Sequence, residues 1–120
     1  MYKYLNVNPE NRKESDCVVR AISLATDSDY YLVEKLLLNI GDIYSCDELC
    51  LQCYNQLLSG EIGYTRYNGK GKTVEEISES HKDKILLIRI DGHLTCSMFG
   101  TIYDIWDCTK KICDVFWIVE

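Results

Sequence analysis

The sequence predicts an α+β domain in which N-terminal helices pack on a C-terminal antiparallel β-sheet. Two patterns support this prediction. Apolar residues recur at helical spacing between residues 17 and 80, and they follow strand patterns after Lys84. The 120 residues contain no internal repeat and no low-complexity stretch, and this length suits one hydrophobic core. We therefore expect a single domain over residues 1–120.

The first helix is predicted at residues 17–26. Residues 2–14 show little periodicity, which is typical of an extended arm or loop. Ser15 and Asp16 both favour the N-cap position, where a side-chain oxygen accepts a backbone N–H. Most positions beyond this cap are apolar, so we expect the helix to be buried.

Two more helices are predicted before residue 60. The second follows Asp29, a good N-cap residue, and ends near Gly41. The third begins at Ser45, because Ser45 and Glu48 have the spacing of a capping box, and it ends at Gly60. Both segments carry apolar residues at helical spacing, so each is expected to bury one face.

The rest of the chain changes from helical to strand periodicity. Four glycines between residues 60 and 72 predict a loop or a weak hairpin. Thr73 and Glu76 form another capping box, which opens a short helix. The almost continuously apolar run 85–90 is typical of a central strand that is covered on both faces. Further strands are predicted at 93–98, 102–106 and 112–119.

Composition and charge exclude several functional classes. The net charge of −6 leaves no basic excess for general binding to a nucleic-acid backbone. No apolar run approaches the roughly 20 residues of a membrane-spanning helix, and the polar first ten residues lack a signal sequence. We expect a cytoplasmic protein with no nucleic-acid or membrane partner. Its seven cysteines are an odd number, so they cannot all pair, and most are expected to be thiols.

Cys17, His93 and Asp104 are candidate catalytic residues. A cysteine in the first turn of a helix has a stabilised thiolate, which can act as a nucleophile. A histidine can take and return the proton, and a carboxylate can orient its ring. Trp106 is expected to keep water away from the contact between His93 and Asp104. In the competing interpretation, Cys17 is simply a small buried residue, and His93 and Asp104 lie on the polar outer face of a surface hairpin.

The choice of carboxylate depends on a predicted hairpin turn at Phe99 and Gly100. If the turn has two residues, Asp104 becomes a diagonal neighbour of His93, and Asp107 points to the other face. A turn of three residues would move each side chain of the second strand to the opposite face of the hairpin and make Asp107 the partner of His93. The first register keeps the apolar side chains on one face, and we favour Asp104 for this reason.

The order of these residues resembles the papain-like cysteine peptidase fold, with a cysteine at a helix start, a histidine on a strand and an acid on the next strand. The chain also resembles small uncharacterised phage and bacterial proteins of that type. The segment from Asp104 to Trp106 is similar to the Asn-Ser-Trp segment of papain relatives, which favours Asp104. The resemblance is carried by the stretches Asp16-Cys17-Val18-Val19-Arg20-Ala21, Gly92-His93-Leu94-Thr95 and Tyr103-Asp104-Ile105-Trp106-Asp107.

The resemblance implies a thiol hydrolase that cleaves a peptide or isopeptide bond in a cleft between the helices and the sheet. Papain relatives place an oxyanion-binding Gln several residues before the cysteine. No Gln precedes Cys17; Asn11 is the nearest analogue by spacing, and Asn8 is the next. This departure keeps an alternative open, in which a catalytically idle papain-like protein, possibly phage-encoded, engages a host or partner protein.

Three cysteines in the predicted third helix raise the question of a metal site. Cys46, Cys50 and Cys53 fall on one side of the helix, and a further ligand would have to come from elsewhere in the chain. The periodicity that they share with neighbouring leucines favours core packing, so no metal and no other cofactor is assigned. Cys108, Cys113 or His81 could supply that further ligand.

Overall fold

The computed structural model describes residues 1–11 and 16–119, and it has an α+β architecture. Four α-helices and one π-helical segment accompany a mixed six-stranded sheet in this part of the chain. In chain order the elements are β1 (Tyr2–Tyr4), α1 (Cys17–Thr26), α2 (Tyr30–Tyr44), α3 (Leu51–Asn55), the π-helical segment (Gln56–Ile62), β2 (Arg66–Asn68), α4 (Val74–Ser80), β3 (Ile85–Ile90), β4 (His93–Met98), β5 (Thr101–Asp104) and β6 (Val115–Val119).

The sheet has the strand order β1-β5-β4-β3-β6-β2. All neighbouring strands are antiparallel except β1, which pairs parallel with β5. The prediction of a purely antiparallel sheet was therefore wrong at one edge. The arm predicted at residues 2–14 contributes this strand, since the backbone of Tyr2–Tyr4 finds its partners in a strand about a hundred residues later.

Helices cover both faces of the sheet. On one face α1 packs against β4, and the core between them includes Ile22, Leu94 and Trp117. On the other face α4 packs against a second group that includes Leu86 and Ile88. Strand β3 therefore has buried side chains on both faces, which confirms the prediction from its continuous apolar run.

The hairpin that places the candidate carboxylate is confirmed. Phe99 and Gly100 form the two-residue turn, with φ angles of 53° and 88°. Positive φ at both positions is typical of the turn that matches the twist of two antiparallel strands. The pairing of Met98 with Thr101 and of Cys96 with Tyr103 is the predicted register.

The predicted start of the third helix was wrong. Ser45 does not cap a new helix; it ends α2 in a left-handed conformation with φ 53°, and α3 begins only at Leu51. Helix α2 also continues past Gly41, which was expected to end it. A Cβ atom at Gly41 would lie 2.8 Å from the carbonyl oxygen of Cys46. The glycine therefore allows the chain to return closely over the helix and is not a helix stop.

Other boundaries differ in smaller ways. The region predicted as a loop or weak hairpin contains the π-helical segment and β2, which pairs with β6 at the sheet edge. The last strand begins at Val115, whereas Ile112 forms an isolated bridge with Thr73. The capping box of Thr73 and Glu76 is confirmed. Ser15 lies outside the described residues, and Asp16 makes no side-chain capping bond.

Within the described residues, none of the helices combines the length and apolar character that crossing a bilayer would require.

Candidate active site

Cys17 is the first residue of α1, and its thiol meets the imidazole of His93. The side chain is half-buried and borders the core. Burial raises the pKa of the Cys17 thiol, but hydrogen bonds to His93 and to the backbone of Leu94, together with the charge of His93, outweigh burial and lower the pKa below its ordinary value. A larger share of thiolate at neutral pH is the expected result.

His93 begins β4 and connects the thiol to a carboxylate. Its Nε2 lies 2.6 Å from Oδ2 of Asp104, and the same ring hydrogen-bonds the thiol of Cys17. Burial lowers the pKa of His93, but hydrogen bonds to Asp104, Cys108 and Cys17 more than reverse this and leave the pKa well above its ordinary value. The site thus favours the protonated form of His93, which contacts the carboxylate of Asp104 and the thiol of Cys17.

Asp104 ends β5, and the structure brings it, rather than Asp107, to the imidazole. Its side chain is 3% exposed, and its Oδ1 accepts the backbone N–H of Ile105 at 2.7 Å. Burial raises the pKa of Asp104, but its hydrogen bond to His93 contributes to a net lowering. Asp107 instead accepts the backbone N–H and the hydroxyl of Thr109 at 3.0 and 2.6 Å.

Trp106 lies against the imidazole. The centroids of the Trp106 and His93 rings are 5.0 Å apart, and the ring planes are tilted by 53°. The indole is 38% exposed, so its outer side faces solvent while its inner side contacts the histidine. This is the position that shielding of the contact between His93 and Asp104 would require.

Arg20 is a site residue that the sequence analysis missed. It is buried on α1, where its Nε lies 2.6 Å from Oδ1 of Asp16 and its Nη1 lies 3.2 Å from Oδ1 of Asp104. The other oxygen of Asp16 accepts the Tyr30 hydroxyl at 2.8 Å and the amide of Asn8 at 2.9 Å. The i, i+4 spacing of Asp16 and Arg20 on a largely apolar helix was the available signal.

Cys108 is a second thiol at the site. It is fully buried, and its Sγ lies 3.9 Å from Oδ2 of Asp104, the oxygen that also contacts His93. Ligand-type atoms of His93, Asp104 and Cys108 all lie within 4.8 Å of one another, which is a spacing that a metal could use. Here the three side chains are hydrogen-bonded to one another, and this accounts for their proximity.

Among the contacts of the described residues, none joins a candidate oxyanion residue to the thiol. Asn11 is exposed, with φ 53°, and its backbone N–H donates to the carbonyl of Asn8 at 2.9 Å. The side chain of Asn8 is buried and donates to Asp16 and Tyr30. Neither residue lines the two cavities that border Cys17. The remaining candidate donor for an oxyanion is the backbone N–H of Cys17 itself.

A cavity of about 170 Å³ opens beside the thiol and the imidazole. Its apolar wall comes from α1 and from the segment around α3, and a guanidinium lies at its border. Helix α3 and the turn before it, which the sequence did not link to the site, therefore form one side of the cleft. The lining residues are Cys17, Val18, Leu49, Cys50, Leu51, Tyr54, Arg89, Gly92 and His93.

Comparison with known proteins finds no matching family model, no matching curated protein and no matching solved structure.

Proposed function

We propose that the chain is a papain-like thiol hydrolase that cleaves a peptide or isopeptide bond with Cys17, His93 and Asp104. One observation carries the proposal: the thiol of Cys17 and the carboxylate of Asp104 both hydrogen-bond the imidazole of His93. A nucleophile, a base and an orienting group in this arrangement are the parts that thiol-dependent acyl transfer requires.

The reaction would proceed through an acyl-enzyme. The Cys17 thiolate attacks the carbonyl carbon, and the resulting oxyanion is stabilised by the backbone N–H of Cys17. The carbon–nitrogen bond then breaks as the His93 imidazolium donates its proton to the leaving amine. In the second half, His93 takes a proton from water, the water oxygen attacks the thioester, and the Cys17 thiolate is released. Asp104 holds the ring throughout and stabilises its charged form.

The cleft supports a polypeptide substrate. The cavity of about 170 Å³ has room for one side chain of moderate size next to the attacked carbonyl. Val18, Leu49 and Leu51 give it apolar walls, which favour an apolar side chain at this position.

Alkylation with iodoacetamide at about pH 6.5 tests the nucleophile. Cys17 should react faster than the other thiols, because its lowered pKa places more of it in the thiolate form. Replacement His93→Ala should slow this reaction, and His81→Ala is the matched control, since the ring of His81 bonds the carbonyl of Ile77 away from the site. Equal rates at Cys17 and Cys50, or no effect of His93→Ala, would contradict the proposal.

Hydrolysis itself is measured with a pool of fluorogenic peptides. Wild-type protein should release the fluorophore, and Cys17→Ala should release none above background. Activity retained in Cys17→Ala would sink the assignment of the nucleophile.

A second candidate function is a catalytically idle binding module of the same fold. The observation in its favour is an exposed apolar stripe on α2, where Leu32, Leu36 and Ile43 are 51%, 40% and 72% exposed. This alternative predicts that no peptide in the pool is cleaved and that Cys17→Ala leaves binding to a partner protein unchanged. Slow, His93-independent alkylation of Cys17 would favour it over the hydrolase.

A further inference from the structure

Three cysteines outside the candidate active site form a thiol cluster, defined here as Cys46, Cys50 and Cys53. Their Sγ atoms all lie within 4.8 Å of one another. Cys46 and Cys53 are joined as a disulfide with a Cα–Cα distance of 6.1 Å, and Cys50 is a free, half-buried thiol. Cys53 is fully buried, so the cluster is closed on its inner side and accessible on its outer side.

The backbone itself holds the cluster together. The N–H of Cys46 donates to the carbonyl of Gly41 at 3.0 Å, in the turn that the left-handed Ser45 begins. The N–H of Cys53 donates to the carbonyl of Cys50 at 3.1 Å, at the start of α3. The N–H of Cys50 also donates to the carbonyl of Asp47 at 2.9 Å, in the turn that joins Cys46 to Cys50. None of these hydrogen bonds involves sulfur, so the three side chains are expected to stay close when the disulfide is opened.

We infer that the reduced thiol cluster binds one zinc ion. Zinc bonds thiolate sulfur at about 2.3 Å, and tetrahedral geometry then places two ligating sulfurs about 3.8 Å apart. The sulfur of Cys50 lies no more than about one ångström beyond that spacing from either of the other two sulfurs, and the sulfurs of Cys46 and Cys53 are free to move apart to it once their bond is reduced. Cys50 and Cys53 also have the Cys-x-x-Cys spacing common in structural zinc sites.

The chemistry balances with a dithiol reductant. The reductant supplies two electrons and two protons to the Cys46–Cys53 disulfide and is itself oxidised to a disulfide. Each of the three thiols then loses a proton to the buffer as its sulfur bonds zinc. Among the described residues no fourth His, Cys, Asp or Glu belongs to the cluster, so water completes the coordination. Binding and the disulfide exclude each other, because both use the same two sulfurs.

The site borders the cleft but does not depend on the proposed hydrolase activity. Cys50 lines the cavity that Cys17 and His93 also line, between Leu49 and Leu51. Zinc would fix this segment to the start of α3. The three other candidate ligands lie elsewhere in the fold: Cys108 contacts Asp104, Cys113 borders Gly69, and His81 contacts Phe116.

The test uses the full chain, reduced with dithiothreitol and desalted without oxygen, and then titrated with zinc against a chromophoric chelator. We expect one zinc per chain, and oxidised wild-type protein should bind it at least roughly a hundredfold more weakly. The oxidised protein serves as a folded control, since it lacks two ligands without any substitution. Less than about a tenth of an equivalent bound by the reduced chain would overturn the inference.

Two variants locate the site. Cys50→Ser should weaken zinc binding by roughly a hundredfold or more, because it removes a direct ligand. Cys17→Ser is the matched control: it removes another half-buried thiol of the same cavity and should leave the zinc affinity unchanged. Binding that survives Cys50→Ser but is lost in Cys17→Ser would place the metal at the nucleophile and contradict the inference.

Discussion

Arg20 of α1 and Asp104 of β5 form a buried ion pair across the boundary between helix and sheet, with Nη1 of Arg20 3.2 Å from Oδ1 of Asp104. Both side chains are almost fully buried, at 7% and 3% exposure. Because Arg20 lies one turn after Cys17 and Asp104 hydrogen-bonds His93, the ion pair joins the helix that carries the candidate nucleophile to the strand that carries the candidate orienting carboxylate. The site is therefore part of the contact between the two halves of the fold.

Arg20→Met is expected to destabilise the protein by about 3–5 kcal/mol. The substitution leaves the buried carboxylate of Asp16 without its cation and leaves Asp104 with only the imidazolium of His93. Unfolding in urea, followed by circular dichroism, measures the change. Arg66→Met is the control, since Arg66 is exposed and donates a long hydrogen bond to Asn55, and its effect should stay within about 0.5 kcal/mol. Equal effects of the two substitutions would contradict a structural role for the buried ion pair.

Asp104→Asn should raise the pKa of the Cys17 thiol. Without the carboxylate the imidazolium of His93 is less stable, and a weaker positive charge stabilises the thiolate less. The smaller share of thiolate should slow alkylation of Cys17 at about pH 6.5. The alkylation rate is measured as a function of pH. Asp107→Asn changes the turn at Thr109 and should leave the pH dependence of the alkylation rate unchanged. An equal shift of that pH dependence in both variants would argue against Asp104 as the orienting group.

Stability should fall as the pH drops below about 4, and Asp16 should be one source of the loss. Burial raises the pKa of Asp16, but hydrogen bonds from Arg20, Tyr30 and Asn8 outweigh burial and lower it. The unfolded chain therefore takes up a proton at higher pH than the folded chain. This contribution is present above the unfolded pKa of about 3.9 and is lost as the pH falls through the folded pKa.

The urea midpoint between about pH 3 and pH 6 measures this contribution. Asp16→Asn should be less stable than wild type near pH 6 and should lose less stability on acidification. If the urea midpoint of Asp16→Asn falls with decreasing pH as steeply as that of wild type, Asp16 is not a source of the acid sensitivity.

Gly41→Ala should destabilise the protein, although alanine in a helix usually stabilises by about 1 kcal/mol relative to glycine. The new Cβ would lie 2.8 Å from the carbonyl oxygen of Cys46, and this backbone atom cannot move without opening the turn. We expect a loss of about 1–3 kcal/mol. At Gly60 a Cβ would meet only the flexible side chain of Gln56, so Gly60→Ala should be tolerated. Thermal unfolding of both variants measures these effects. If Gly41→Ala is more stable than wild type, the short distance between residue 41 and the carbonyl of Cys46 does not require glycine.

The hairpin and its carboxylate were predictable because the information is local. Alternation along β4 and β5 and a two-residue turn fix the register, and the register brings Asp104 to His93. The contact between Cys17 and this hairpin could not be predicted from the local sequence pattern. It was predicted from the order of residue types and their resemblance to a known arrangement.

Other parts of the site could not be predicted because they depend on distant partners. Strand β1 has three residues and is a strand because it pairs with β5, which lies about a hundred residues later in the chain. Arg20 and Cys108 look like ordinary members of a helix and a turn until the fold brings them to Asp104. At Ser45 and Glu48 a local pattern was misleading, since the requirements of the close turn over Gly41 prevailed over the capping-box spacing.

The parallel edge strand has a practical consequence. The main-chain oxygen of Asp104 accepts the N–H of Leu5 at 2.9 Å and the hydroxyl of Tyr2 at 3.0 Å. Residues 2–5 therefore fix the peptide unit that carries the Asp104 side chain. Removal of these residues is expected to disturb the position of that carboxylate next to His93.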